Sequence, residues 1–331
     1  MRNRSRKNVE LVRQSETWYQ TNETRNHPAL NSLPNYEESH YTRMLIEDVS
    51  NGAMPYSGSK WSVNARLDPA ESEIEELVEE AISHNDYRRN FYEVIAEFAQ
   101  ECAAWMMTYG KAVYEIAYMY DDDNKPVAFT LFSVIPNSIK AEKGKLKQYV
   151  PGSVVRESEL PSDVIELTPE NFITFELPPY MRSEYTPMMD ALYAQGSLTS
   201  MPDFVLSSMK GEIHPVPYDL KKFSRDQKMA VAEATKLIGW NARQAPNDEF
   251  KTEYYDLHRF LRFERFKLEV RNSILLTLNE AIARAGKKLG FAGQIVVEGL
   301  PTLTDVQDAQ EALAQGSKKF IDVINPFLAY S

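Results

Sequence analysis

The sequence predicts an α+β fold, and three observations carry the prediction. Apolar residues recur at helical spacing from Ile74 to Met106. From Tyr114 the period drops to two, around the polar turn Asp121-Asp-Asp-Asn124. From Glu249 to Lys288 a helical pattern returns, now with apolar residues on two faces. Helices followed by strands point to segregated layers rather than to the alternating units of a parallel sheet.

Residues 1–70 read as an extended N-terminal arm. Pro28, Pro34 and Pro55 interrupt a stretch rich in Asn, Ser and Thr, and Trp18, Tyr19, Tyr36, Tyr41 and Trp61 keep no sustained period. Such a segment cannot bury enough apolar surface alone, although its aromatics suit packing on something else. One short helix is expected near 37–50.

Residues 71–185 read as an α+β domain. Asp68-Pro69 opens a helix in which Ile74, Leu77, Val78, Ala81 and Ile82 share a face, with acids in the first turn where the macrodipole favours them. A second helix is expected from about Tyr87 to Thr108, through Phe91, Val94, Ile95, Phe98, Cys102, Trp105 and Met106, ending at Tyr109-Gly110. Tyr114, Ile116, Tyr118 and Tyr120 then alternate along a strand, and Val127 to Ile135 returns as its hairpin partner. Shorter strands are expected at 146–149, 154–156 and 165–167. A stronger one, Phe172 to Leu177, stops at Pro178-Pro179.

Residues 186–248 are read as a helix to about Met209 with a kink at Pro202, an extended excursion from Lys210 to Asp219, and a helix from a Ser224 cap through Trp240. Residues 249–331 hold the two-striped helix, a strand from Phe291 to Val297, and a last helix from Thr304.

In the long helix, Leu257, Leu261, Leu268, Leu275 and Ile282 share one face. Phe263, Phe266, Val270, Ile274 and Ala281 form a second stripe centred about 130° round it. A monomer's surface helix needs one stripe. Two stripes place it either inside a core or between its own domain and a neighbouring subunit. Arg259, Arg262 and Arg265 lie between the stripes, and internal positions seldom hold three arginines without partners.

The net charge of −11 is unevenly spread. Asp68 to Asp86 holds eight acids and no lysine or arginine, whereas Glu249 to Lys288 holds nine basic residues against six acidic ones. A pI near 5.1 argues against tight wrapping of DNA, because backbone affinity comes from cations. It leaves open a wall that DNA slides past. No apolar run approaches the ~20 residues that span a bilayer, so no membrane anchoring is expected. The basic start Met1 to Lys7 is followed by polar sequence and does not read as a secretory signal. The lone Cys102 allows no intrachain disulfide and reads as a small buried hydrophobe.

Signatures of chemistry are scarce. No Gly-x-Gly-x-x-Gly occurs, and Gly286 to Gly290 reads as a helix C-terminus, with cations in the last turn and then a glycine stop. The histidines at 27, 40, 84, 214 and 258 keep no metal spacing. Glu115 with Asp121, Asp122 and Asp123 could hold magnesium, yet Asp and Asn also suit a solvated hairpin turn. No catalytic residue, metal or cofactor is expected. Aromatic and basic residues mix from Tyr254 to Phe266, as in a nucleic-acid stacking platform, although the aromatics fall mainly on the apolar stripes. Lys221, Lys222, Arg225 and Lys228 form a smaller basic patch beside the proline-rich excursion.

Four stretches together give a resemblance. Ala104 to Ile116 runs a helix through a glycine into a Glu-containing strand. Phe132 to Ile139 ends a hairpin in a Pro-x-x-Ile turn. Glu166 to Phe175 leads a strand into a helix–excursion–helix block. Arg271 to Glu280 leads to a strand and then to Leu303–Glu311. In this order, over roughly 75–325, the chain resembles the portal (head-to-tail connector) proteins of tailed bacteriophages. It is short for that family and leaves no room for a sizeable C-terminal crown.

The resemblance implies a portal-like fold with an α/β wing, a long-helix stem and a short clip. It implies a ring, usually of twelve subunits, at one capsid vertex, surrounded by the major capsid protein. Double-stranded DNA would pass through it for packaging and ejection, driven by a separate terminase, and neck or tail adaptor proteins would dock later. The subunit itself would be no enzyme. Lys210, His214, Lys221, Lys222 and Arg225 become the candidate clip or docking surface. Arg259, Arg262 and Arg265 become a candidate channel or inter-subunit basic face, and Phe263, Phe266, Val270 and Ile274 a candidate subunit-interface stripe. Two other readings stand beside this one: a different oligomeric phage head or neck protein, and a metal-dependent nuclease using Glu115 and Asp121–Asp123.

Overall fold

The computed structural model describes residues 12–17, 36–55, 63–83, 90–150, 163–196, 207, 210–211, 220–243 and 252–328. Its centre is helix α3, Phe91–Tyr109, which follows α1 (His40–Ala53) and α2 (Ser72–Ile82) in the chain. The side chain of Asn90 caps α3 by accepting from Glu93 N at 2.9 Å. Gly110, in the left-handed region at φ 79°, ends it. Ile95, Ala99, Cys102, Ala103, Met106 and Met107 have no exposed surface, so α3 is covered nearly all round.

The main sheet is built on β3, Lys111–Tyr120, which is antiparallel to β4, Pro126–Val134. The other edge of β3 is shared end to end. There, β8 (Phe172–Glu176) pairs residues 111–115, and the short β1 (Val12–Gln14) pairs residues 118–120. Alternation sorts the two faces. Tyr114 turns toward the helices, with Phe98 and Phe175 at ring distances of 5.2 and 5.3 Å. Val113, Val134 and Phe172 turn the other way and pack with Ile139 and Leu167 of a smaller sheet. That sheet comprises β5 (Ile139–Glu142), β6 (Lys145–Tyr149) and β7 (Val164–Leu167), all antiparallel. Lys143 and Gly144, both at positive φ, make the β5–β6 hairpin turn.

Helix α4 (Tyr185–Gly196) packs on α1 and α5 (Leu220–Ala234) packs on α4, and then come α6 (Glu253–Leu289), β9 (Gln294–Glu298), α7 (Leu303–Gln315) and α8 (Phe320–Leu328). The capping of α6 is legible locally. Thr252 accepts from Tyr255 N at 3.2 Å, and Gly290 at φ 84° ends the helix. Thr302 and Asp305 form a capping box for α7, two residues ahead of the expected start at Thr304.

Two expectations about architecture are corrected. Residues 36–55 and 63–68 are not an arm. Leu45 and Val49 of α1 have no exposed surface, and β2 (Asn64–Asp68) pairs antiparallel with β9 more than 200 residues away. Composition hid this, because only Ala65 and Leu67 of β2 face inward and the other three positions are polar. In addition, the helix expected from Ser224 to Trp240 starts at Leu220 and stops at Ala234, so Ser224 is interior. The strand at 154–156, the kink at Pro202 and most of the excursion, including His214, lie outside the described residues.

Candidate functional site: the faces of the long helix

Helix α6 is sandwiched within its own chain. Phe266, Val270, Ile274, Leu278, Ala281 and Ala285 are buried in the main core, with the half-buried Phe263 against it. Leu257, Leu261 and Leu268 are buried on the other side, in a separate cluster with Val306 and Leu313 of α7 and Val323 and Phe327 of α8. Leu275 and Ile282 of that stripe instead join the main core. The expected subunit-interface stripe, Phe263, Phe266, Val270 and Ile274, is therefore already covered. The chain closes over both stripes because two C-terminal helices supply the apolar partners that a neighbour would otherwise provide.

The expected basic face divides in the same way. Arg259 is 4% exposed and makes a five-bond cluster to neutral groups. Its Nε donates to Asn241 Oδ1 at 2.7 Å, and one terminal nitrogen donates to Ala232 O at 3.0 Å and to Tyr255 OH at 3.5 Å. The other donates to Thr235 Oγ1 at 2.9 Å and to Trp240 O at 2.5 Å. These carbonyls belong to the end of α5 and the loop beyond it, so Arg259 caps a helix that has no C-terminal glycine of its own. It faces neither DNA nor a neighbour.

Arg262 spends one nitrogen on Lys236 O at 2.6 Å, and Arg265 pairs with Glu269 at 2.8 Å. Glu269 also accepts from Tyr180 OH at 2.5 Å. That bond and burial push the Tyr180 phenol well above its usual range. The turn 235–239 reaches α6 through Gly239, at φ 78°. A Cβ there would lie 2.8 Å from Arg262 Cβ and would also strike the Arg259 carbonyl.

Outside these contacts lies a groove of about 900 Å³ between α6, α7 and this turn, lined by Tyr180, Leu237, Tyr254, His258, Arg262 and Arg265. His258 stacks on Tyr254 at 6.3 Å, and burial plus the nearby Arg262 and Arg259 lower its pKa. The groove mixes aromatic and polar groups, and Arg265 already has its acidic partner.

Three further charges on α6 are buried. Glu264 and Lys267 form an ion pair at 2.7 Å, and the Lys267 stem lies against Gly52 of α1. Burial raises the Glu264 pKa, opposed by Lys267. Arg271 donates to Pro301 O at 2.6 Å and ties α6 to the start of α7.

The acidic residues once paired as a metal centre have separate roles. Glu115 is 1% exposed. Its carboxylate accepts from Ser15 Oγ at 2.8 Å, Glu16 N at 2.7 Å and Thr17 Oγ1 at 2.6 Å, which fastens the segment after β1 to the sheet edge. Asp121 closes the hairpin, accepting from Asp123 N at 3.1 Å and Lys125 N at 2.8 Å. Glu115 and Asp121 stand six residues apart on a strand, about 20 Å. Among the described residues no group of three or more His, Cys, Asp or Glu could hold a metal ion. The alternative reading of Glu115 and Asp121–Asp123 as one magnesium site finds no support in this geometry.

Of the docking candidates, Lys210, Lys221, Lys222 and Arg225 are exposed, the last three on the first turns of α5. One basic site was missed. At the C-terminal end of α6, Arg284, Lys287 and Lys288 line a groove of about 680 Å³ with Tyr118 and the turn at 169–171. The Lys288 Nζ sits 3.8 Å from the Tyr118 ring centroid, and Arg284 donates to Phe172 O at 2.8 Å. The lysines were legible as a helix end. The groove was not, because Tyr118 and the 169–171 turn come from distant sequence.

No protein-family model matches the chain, and no curated protein does. No helix among the described residues is long and apolar enough to cross a membrane.

Proposed function

We propose that the chain is the subunit of a portal-type ring at one vertex of a phage capsid, a passage for double-stranded DNA. The observation that carries the reading is the placement of the helix pair. α4 ends at Gly196 and α5 begins at Leu220, and the two helices touch, with Gln227 Nε2 donating to Gln195 O at 2.9 Å. Residues 197–219 connect these two touching helices, and we assign that stretch of sequence to the stem-and-clip excursion. Under this reading the excursion, with Lys210, Lys221, Lys222 and Arg225 at its base, docks the terminase during packaging and neck or tail adaptors afterwards.

The long helix then acts as an internal strut rather than a wedge. Its aliphatic faces hold the C-terminal helices and the main core to one rigid axis of about 55 Å, from 37 residues at about 1.5 Å each. A ring subunit that carries load along its axis benefits from such an element. No channel role falls to Arg259, which is buried.

Electron microscopy of the purified chain tests the reading. The expected images show closed rings with an open axial hole, of one subunit number and usually twelve. A stable monomer, or a closed dimer with no hole, overturns it.

A further inference from the structure

A ring of identical subunits closes through unlike patches, so each subunit must carry two different surfaces that fit one another. The apolar stripes of α6 are used inside the chain. Two charged surfaces are not. One is the groove at the end of α6, where Arg284, Lys287 and Lys288 converge. Among the described residues none of the three forms an ion pair, and Lys288 rests on the ring of Tyr118 rather than on a carboxylate. The other is α2, with Glu75, Glu76 and Glu79 and no base in its last turn. These three acids likewise have no cationic partner among the described residues. The Glu79 carboxyl is pushed above the usual carboxylate range by burial and by Glu75, Glu76 and Glu80, and no cation opposes the shift.

We propose that the acidic face of α2 in one subunit docks in the α6 groove of the next and closes the ring head to tail. This rests on the ring reading above. Spacing matches as well as sign. Glu75 and Glu79 stand one helical turn apart, about 6 Å, and so do Arg284 and Lys288. Two helices can therefore cross with their charges in register. A nucleic-acid backbone fits the groove less well. Glu170 lines it, and beside it Glu16 accepts from Asn171 at 3.0 Å, so a continuous run of phosphates would meet fixed negative charge. Discrete carboxylates on a helix can avoid both.

Charge reversal with rescue tests the pairing. Lys287→Glu/Lys288→Glu and Glu75→Lys/Glu76→Lys are each measured by native mass spectrometry, with thermal unfolding and circular dichroism as folding controls. Each double variant is expected to run as a folded monomer under conditions where the unaltered chain forms rings, with at least a tenfold loss of assembled mass. Mixing the two restores rings of alternating composition, because each groove then meets a helix of opposite charge. Restoration by mixing also separates a broken contact from a damaged fold. Raised salt should dissociate the unaltered ring. Rings that form normally from either variant, or no recovery on mixing, overturn this pairing while the ring reading stands. So does a variant that keeps its rings and loses only retention of double-stranded DNA. If the unaltered chain is itself monomeric, both fall together.

Discussion

Phe266→Asp yields unfolded or aggregated chain, not a folded monomer released from an assembly. Phe266 is 1% exposed in the main core, and removing a buried Phe costs roughly 3–5 kcal/mol before any charge is considered. The new carboxylate would have to be buried without a partner or be protonated, which adds several kcal/mol. The sum rivals the ~5–15 kcal/mol that holds a domain together. Leu268→Asp acts on the other side, where Leu268 packs in the smaller cluster with α7 and α8. Its expected cost is about 4 kcal/mol, and its first effect is to detach those two helices. Leu276→Asp is the control, since Leu276 is 66% exposed on the same helix and should change stability by under about 0.5 kcal/mol. Urea unfolding followed by near-ultraviolet circular dichroism separates the three. A folded Phe266→Asp monomer with unaltered urea midpoint would show that this stripe meets a neighbour after all.

Arg259→Met is the second large effect. The side chain keeps its length and apolar stem but loses every donor that reaches the end of α5. The Ala232 and Trp240 carbonyls lose a charged donor in a dry environment, at an expected net cost of about 3 kcal/mol. Arg259→Lys recovers little of this, because one ammonium cannot span acceptors spread over residues 232–241. The loss should appear locally first, as faster amide exchange in 235–243. A basic face built for DNA would behave otherwise: Arg259→Lys would be tolerated, and Arg259→Met would alter DNA retention with unchanged stability.

Most of the fold was legible where the signal is local. Gly110 and Gly290 mark helix ends through chemistry confined to one turn, and Asp121 marks its hairpin in the same way, whereas the helix starts expected near Tyr87 and Glu249 lie four residues later, after Asn90 and Thr252. Helix period and strand alternation placed α2, α3, β3, β4 and α6 within a few residues. What failed depends on distant partners. The leucine stripe of α6 had no evident cover because Val306, Leu313, Val323 and Phe327, which pack on Leu257, Leu261 and Leu268, lie beyond the helix in weakly patterned sequence. Arg259 looked like a surface cation because its acceptors are backbone carbonyls, which no residue type announces. Glu115 looked like a candidate ligand because its donors, Ser15 to Thr17, sit about a hundred residues upstream. The groove at Arg284 to Lys288 was half visible: its cations were read as a helix end, and its aromatic floor came from another strand.

The central claim is that α6 is internal on both faces whether or not the chain is assembled. Amide hydrogen exchange across 257–282 tests it most directly, comparing assembled protein with the monomeric Lys287→Glu/Lys288→Glu variant. The account predicts strong protection that is the same in both, approaching the global unfolding limit along Phe266 to Ile282. Protection along Phe263 to Ile274 that is present in the ring and lost in the monomer would contradict it, and would return that stripe to the subunit interface.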